Sequence, residues 1–196
     1  YVVITSVDRD DLKDGGASIF AGVITETRKR VTNCRIEVLI PDFKGEEAPL
    51  RTVLEAGPDV LNHNTETVPR LYARARPKGD YQRTLTLLDR VKDLAPEMPT
   101  KTGIMVGLGE TIDEVHETLI DLAAVGVDIV TIGQYLRPTA QHLPVMRWWT
   151  PEEFESLAAF GRHVGIGFVQ SSPLTRSSYH ARAAAHEASP VTLRSR

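Results

Sequence analysis

Six short runs rich in β-branched residues, at Tyr1–Thr5, Cys34–Ile40, Asp59–Asn62, Gly103–Leu108, Asp128–Gly133 and Ile166–Gln170, alternate with segments of helical period near 16–32, 47–56, 67–76, 80–94, 111–125 and 150–163. Strands that are apolar throughout are covered on both faces, and an intervening helix is the connection that a parallel pair needs. The rhythm predicts an α/β chain of βαβ units on a parallel sheet. Two helix starts carry a hydroxyl cap three residues before a carboxylate, Thr111 with Glu114 and Thr150 with Glu153, and Pro151 follows the second cap at the first helical position. Connections are short and no linker composition interrupts them, so one domain is expected over 1–180. From about His180 the chain becomes Ala- and Arg-rich around Pro190 with no apolar period, and 181–196 reads as a weakly ordered tail. Tyr1 opens directly on a strand pattern, so the start is expected to fall inside a domain.

Charge and cysteine usage narrow the function. With 23 basic against 26 acidic side chains and a net charge of −3, the chain has no overall field to hold nucleic acid. No apolar run approaches the ~18–20 residues of a membrane span and no signal-like stretch opens the chain, which suggests a soluble, cytoplasmic protein with no membrane partner. Cys34 is the only cysteine. One thiolate forms no internal disulfide and cannot by itself build a zinc or iron–sulfur site.

Polar and glycine-containing motifs follow the strands at their C-terminal ends. Ser6-Val-Asp8-Arg9-Asp10-Asp11 follows the first, Pro41-Asp42-Phe43 the second, Asn62-His63-Asn64-Thr65-Glu66 the third, Gly107-Leu108-Gly109-Glu110 the fourth and Gln134-Tyr135-Leu136-Arg137-Pro138 the fifth. In parallel α/β architectures these loops converge on one rim, so a shared site is expected there. Asn62 and Asn64 flank His63, and in extended geometry both amides face one side, where they can read an amino-acid carboxylate or ribose hydroxyls. His63 itself is expected to make a structural hydrogen bond. Gly107 and Gly109 would let a flat ligand ring approach the backbone, or make a plain turn. The Asp8, Asp10, Asp11 group with Arg9 among them reads as a salt-bridged turn rather than a metal site. Between Pro69 and Arg83, Arg70, Arg74, Arg76, Lys78 and Arg83 face only Asp80, an excess that would suit an acidic partner or simply a solvated face.

Together these motifs resemble the lipoyl synthase family of radical S-adenosylmethionine enzymes. The resemblance rests on Ser6-Val-Asp-Arg-Asp-Asp-Leu12 with Asp14-Gly-Gly16, Asn62-His-Asn64, Pro99-Thr-Lys101, Val106-Gly-Leu-Gly-Glu-Thr111, Gly133-Gln-Tyr-Leu136, His142-Leu-Pro144 and Arg176-Ser-Ser-Tyr-His-Ala181. It runs in order from residue 1 to about Ala181, with small departures at Lys13 and Thr102. It implies a partial (β/α) barrel truncated at the N-terminus, two 4Fe–4S clusters, and S-adenosylmethionine cleaved to a radical that abstracts hydrogen from C6 and C8 of a protein-bound octanoyl chain. The auxiliary cluster would supply the two sulfur atoms. The implied partners are octanoylated lipoyl carrier domains, namely acyltransferase E2 subunits and glycine cleavage H protein, and an electron donor such as ferredoxin or flavodoxin.

The site residues expected on this basis are Ser6, Asp8, Asn62, Asn64, Gly107, Gly109, Gln134 and Arg137 around S-adenosylmethionine. Ser178, with Ser177 beside it, is expected as a ligand of the auxiliary cluster. The family's cysteine triads are absent from this sequence, so the chain alone is expected to be inactive. Two other readings stand beside this one. The first is a cluster-free (β/α)-barrel aldolase using Lys101 as a Schiff-base nucleophile. The second is a non-catalytic module that binds S-adenosylmethionine or a lipoyl domain.

Overall fold

The computed structural model describes residues 1–178, so the expected tail at 181–196 lies outside the described residues. The strands are β1 (Val2–Thr5), β2 (Ile36–Leu39), β3 (Val60–Asn62), β4 (Thr100–Val106), β5 (Ile129–Gln134) and β6 (Phe168–Ser171). They form one sheet in sequential order, and every neighbouring pair is parallel. The edges β1 and β6 do not pair with each other, which makes the sheet open, as in the expected partial barrel. The helices are α1 (Ala17–Arg30), α2 (Glu47–Glu55), α3 (Tyr72–Ala75), α4 (Tyr81–Leu94), α5 (Ile112–Ala124) and α6 (Pro151–His163). Each lies where the helical period places it, although the segment near 67–76 is only a 3₁₀ turn at Pro69–Leu71 running into the single turn of α3.

β4 begins at Thr100, three residues before the expected start at Gly103. Thr100, Lys101 and Thr102 are all fully buried, and each has its polar group satisfied. Thr100 Oγ1 donates to Asp128 Oδ2 at 3.0 Å, Lys101 Nζ to Glu37 Oε1 at 2.9 Å, and Thr102 Oγ1 to the His63 carbonyl at 2.7 Å. Hydropathy cannot reveal a strand whose first side chains are polar and paired across the fold.

The sheet has two unlike faces. Ile36 and Val38 of β2, Leu61 of β3, Ile104 and Val106 of β4, and Val130 and Ile132 of β5 join Phe20, Ile24, Leu50, Val53, Leu88, Val91, Leu119 and Leu157 in one apolar core beneath the helices. The alternate residues Glu37, Asn62, Lys101, Gly103 and Thr131 occupy the inner face, away from that core. No helix among the described residues is long and apolar enough to cross a membrane.

The two helix starts marked in the sequence form complete capping boxes. Thr111 Oγ1 accepts from the Glu114 amide, Thr150 Oγ1 accepts from the Glu153 amide, and each glutamate carboxylate accepts from the cap's own amide. Thr150→Ala is expected to destabilise the fold by about 1 kcal/mol through loss of the α6 cap. Urea titration checks this, and an unchanged midpoint would show that the cap carries no weight.

Candidate active site

Because all six strands are parallel, their C-terminal ends and the loops that follow them lie on one rim. Below that rim, on the inner face, β2, β3 and β4 bring together a buried polar group. Glu37 receives Lys101 Nζ on both oxygens, at 2.9 and 3.2 Å, Tyr1 Oη at 2.7 Å and Asn62 Nδ2 at 3.0 Å. Both members of the Glu37–Lys101 pair have fully buried side chains. Asn62 Oδ1 and, one step nearer the rim, Asn64 Oδ1 are buried acceptors with no partner. Gly103 lets Asn64 and β5 close in on β4: a Cβ there would stand 2.9 Å from Thr131 Oγ1 and 3.0 Å from Asn64 Oδ1. Asn62 and Asn64 therefore share the face that their spacing predicts.

Glu66 extends this row, and its role is invisible in composition. Beyond the end of β3 the chain rejoins β4 through Glu66, whose amide donates to the Gly103 carbonyl at 2.9 Å while its carbonyl accepts from Met105 at 2.8 Å. Burial raises the Glu66 pKa, opposed by the Arg76 guanidinium and the Asn64 amide. Its place in the polar run Asn62-His-Asn-Thr-Glu66 after β3 is the signal that could have found it.

His63 points the other way and is structural, as expected. Its Nδ1 donates to the Ile40 carbonyl at 2.8 Å, and Nε2 lies 3.3 Å from Thr84 Oγ1. A carbonyl can only accept, which puts the proton on Nδ1. Burial pulls the His63 pKa down to about 4, against the opposing pull of the Ile40 carbonyl.

At the ends of β4 and β5 the expected residues are engaged by protein. A Cβ at Gly107, whose φ is +109°, would collide with Gln134 Nε2 and stand 2.7 Å from the Arg147 carbonyl. Packing against the 146–149 segment, not room for a ligand ring, is what glycine supplies at 107. The amides of Gly107 and Leu108 both donate to Glu110, at 2.5 and 2.9 Å, and Trp149 Nε1 donates to the same carboxylate at 3.0 Å. Gln134 is committed on both sides: Nε2 donates to the Arg147 carbonyl at 3.0 Å, and Oε1 accepts from the Trp149 amide at 3.0 Å. Gly109 is exposed, and its carbonyl accepts from Arg70. Arg137 is exposed too and donates to the carbonyls of His142 and Ala140 within its own loop.

Ser6 and Asp8 are exposed and part company. Ser6 lines a small pocket of about 110 Å³ against α1 with Ile19, Phe20 and Val23, whereas Asp8 lines a larger cleft of about 380 Å³. That cleft lies among the loops after β1 and β2 and the 76–83 segment, with Asp42, Lys44, Arg76 and Arg83 in its walls. Of the expected salt-bridged group, Arg9 holds Asp11 at 2.6 Å, Lys44 holds Asp10 at 3.2 Å, and Asp8 makes no ion pair among the described residues. The basic run from Arg70 is largely spent within the fold. Arg70 clasps Glu114 through Nε and Nη2 at 2.6 and 2.8 Å, Arg76 donates to the Asn64 carbonyl, and Arg83 pairs with Asp42 at 2.7 Å. Among the described residues Arg74 and Lys78 are exposed and make no ion pair.

Gly133 lets the chain fold back over the rim. The Thr175 carbonyl occupies the position of its missing side chain, and the Gln134 amide donates to the Pro173 carbonyl at 3.2 Å. Ser178 follows in an exposed turn, and Ser177 before it is half-buried. Lys101 is held by Glu37 without exposure, so no free amine is offered to a carbonyl substrate. The donor sets differ in what they suit. The unpartnered Asn62 and Asn64 oxygens suit a ligand rich in hydroxyl or ammonium donors, as S-adenosylmethionine is. The described residues do not by themselves suit an iron–sulfur cluster: none of their His, Cys, Asp and Glu side chains gather in threes around a possible metal position, and Cys34 is half-buried.

The radical SAM superfamily model matches residues 1–122, and the chain belongs to that superfamily. Curated proteins similar to this chain carry the name lipoyl synthase. That of Xylella fastidiosa (strain 9a5c) is 54% identical over 191 residues, covering 96% of this chain and 51% of the relative. That of Hahella chejuensis is 56% identical over 92% of this chain and 55% of the relative, and that of Caldanaerobacter subterraneus is 56% identical over 92% and 63%. The chain thus spans between half and two thirds of the length of these relatives. Among solved structures, methylornithine synthase is similar in fold, with a TM-score of 0.58 over 90% of this chain and 58% of that one, at 16% identity.

The depressed pKa of His63 has a consequence for stability. His63 is neutral in the fold and protonates near 6.5 when unfolded, so its contribution is intact above about 6.5 and is lost as the pH falls toward about 4. Proton NMR should show one histidine ring titrating near 4, absent in His63→Gln; a midpoint near 6.5 for that ring would contradict its burial as neutral imidazole.

Proposed function

We propose that this chain forms the barrel of a lipoyl synthase, which inserts two sulfur atoms at C6 and C8 of a protein-bound octanoyl chain. The observation that carries the proposal is identity of 53–56% across nearly the whole chain to lipoyl synthases of several bacteria. Bound S-adenosylmethionine supplies a carbon-centred radical for hydrogen abstraction, and the iron–sulfur clusters supply the electron and the sulfur. The cluster cysteines would come from outside this sequence, in the complete enzyme.

In this proposal the chain's own residues bind and orient. Asn62 and Asn64 accept hydrogen bonds from S-adenosylmethionine, Glu66 stands beside them, and the helix-covered sheet keeps water from the reacting carbon. Ser6, Asp8, Gly109 and Arg137 remain candidates at the rim through their loops; Gly107 and Gln134 support them by anchoring the 146–149 segment. Ser178 is the proposed protein-side ligand of the auxiliary cluster, an oxygen donor beside sulfur donors and hence the readily released one. The aldolase alternative loses its nucleophile to the Glu37 ion pair. Docking of the acidic carrier domain falls to Arg74 and Lys78, because Arg70 is engaged by Glu114. A cytoplasmic location, where octanoylated carriers and reduced flavodoxin or ferredoxin would be met, belongs to the same proposal.

In the complete enzyme, Asn62→Ala should weaken S-adenosylmethionine binding by about tenfold, the worth of one good hydrogen bond, and leave both cluster spectra unchanged. Unchanged affinity would remove Asn62 from the site. Ser178→Ala should still cleave S-adenosylmethionine yet make no lipoyl group; a variant that makes lipoyl groups at the wild-type rate would sink the ligand assignment.

A further inference from the structure

We infer that the buried Glu37–Lys101 pair is a positioning device: it locks the Asn62 amide with its nitrogen toward Glu37, so that Oδ1 is presented as an acceptor to a hydroxyl or ammonium donor of the ligand. The inference rests on the proposal that S-adenosylmethionine occupies the inner face.

Stability gives the pair little reason to exist. Removing two charges from water costs more than their attraction routinely returns, and an apolar pair of the same volume generally packs as well or better. Yet Glu37 and Lys101 stand on different strands, two apart in the sheet, with their side chains wholly buried. Their register explains what the arrangement achieves. Asn62 pairs directly with Lys101 across β3 and β4, and Glu37 lies on β2 on the other side of Asn62. The amide thus sits between a carboxylate and an ammonium that already hold each other.

The chemistry then allows one orientation. A side-chain amide that meets a hydroxyl or water can turn either end toward it. An ionised carboxylate only accepts, so it takes the NH₂ end of Asn62 and forces the oxygen away. Lys101 Nζ, which can only donate, lies 2.9 and 3.2 Å from the two Glu37 oxygens and so engages both as acceptors. Tyr1 Oη closes the second Glu37 oxygen at 2.7 Å. Every polar atom of the cluster is paired except one, the Asn62 oxygen. Native folds rarely leave a buried acceptor orphaned, and a ligand donor is the partner that would complete it. Asn64 Oδ1, also unpartnered, makes a second acceptor on the same face.

The test uses the complete, cluster-loaded enzyme and reads binding, not turnover. Wild type, Glu37→Leu/Lys101→Met and Glu37→Gln/Lys101→Met are compared by calorimetry with S-adenosylmethionine, with 5′-deoxyadenosine and with methionine. Thermal unfolding and cluster spectra are recorded for each. The Leu/Met variant is expected to unfold within a few degrees of wild type and to bind S-adenosylmethionine about tenfold more weakly. The Gln/Met variant, in which the introduced glutamine amide can still accept from Asn62 but can also donate, is expected to fall between the two. The loss should appear for only one fragment: 5′-deoxyadenosine if ribose hydroxyls meet Asn62, methionine if the ammonium does. A merely structural pair would weaken both fragments alike, or neither. Wild-type affinity in a folded Leu/Met variant, or in the Gln/Met variant should the first fail to fold, overturns the inference. So does a structure of the S-adenosylmethionine complex with no ligand donor in reach of Asn62 Oδ1. Failure of the wild type to bind S-adenosylmethionine at all would instead overturn the proposed function.

Discussion

A wholly parallel sheet has to be covered on both faces, and here only one of them is covered by helices. The ladder from β1 to β6 commits the strand backbone to neighbouring strands, and the helix side is closed by aliphatic side chains. The inner face must be filled by what the strands themselves carry. β2, β3 and β4 fill it with Glu37, Asn62 and Lys101 instead of more aliphatic groups, and a polar interior is stable only when nearly every donor and acceptor is matched. The placement of the candidate site follows from that requirement. Unmatched acceptors remain where the polar group meets the rim, which is also where the loops after the strands gather.

The architecture was legible because each level of the sequence points the same way. Apolar β-branched runs mark strands, periodic apolar residues mark helices, and the capping boxes at Thr111 and Thr150 mark two starts to the residue. The inner face was not legible for the opposite reason. Glu37 lies within the run Ile36-Glu-Val-Leu39, where one carboxylate is outweighed by its neighbours, and its partner Lys101 is 64 residues away. Lys101 and its neighbouring threonines hid the first half of β4 for the same cause. Pairing across strands is a tertiary fact, and a hydropathy pattern records only what a residue would do alone.

Several residues of the motifs at the ends of β4 and β5 are held by other parts of the protein. Gly107, Glu110 and Gln134 are prominent in sequence because their geometry is demanding, but the demand comes from protein. Glu110 gathers two amides and the Trp149 indole, while Gln134 holds the Arg147 carbonyl and the Trp149 amide, which together pin the connection into α6 against the end of β4. Gly133 does similar work for the segment leading to Ser178. Strict local requirements are equally the mark of a ligand contact and of a crossing chain, and a single sequence shows the requirement without its cause.

These contacts divide the rim into unlike halves. At the ends of β4 and β5 the crossing segments 146–149 and 172–176 occupy the space above the strands, and glycines at 107 and 133 admit them. After β1 and β2 the loops instead enclose, with the 76–83 segment, a charged cleft of about 380 Å³ whose Arg9–Asp11 and Lys44–Asp10 pairs face solvent. Arg76 lies between the two regions, because it lines the cleft and also donates to the Asn64 carbonyl. One hydrogen bond thereby ties a wall of the cleft to the backbone of the residue whose side-chain oxygen is left without a partner.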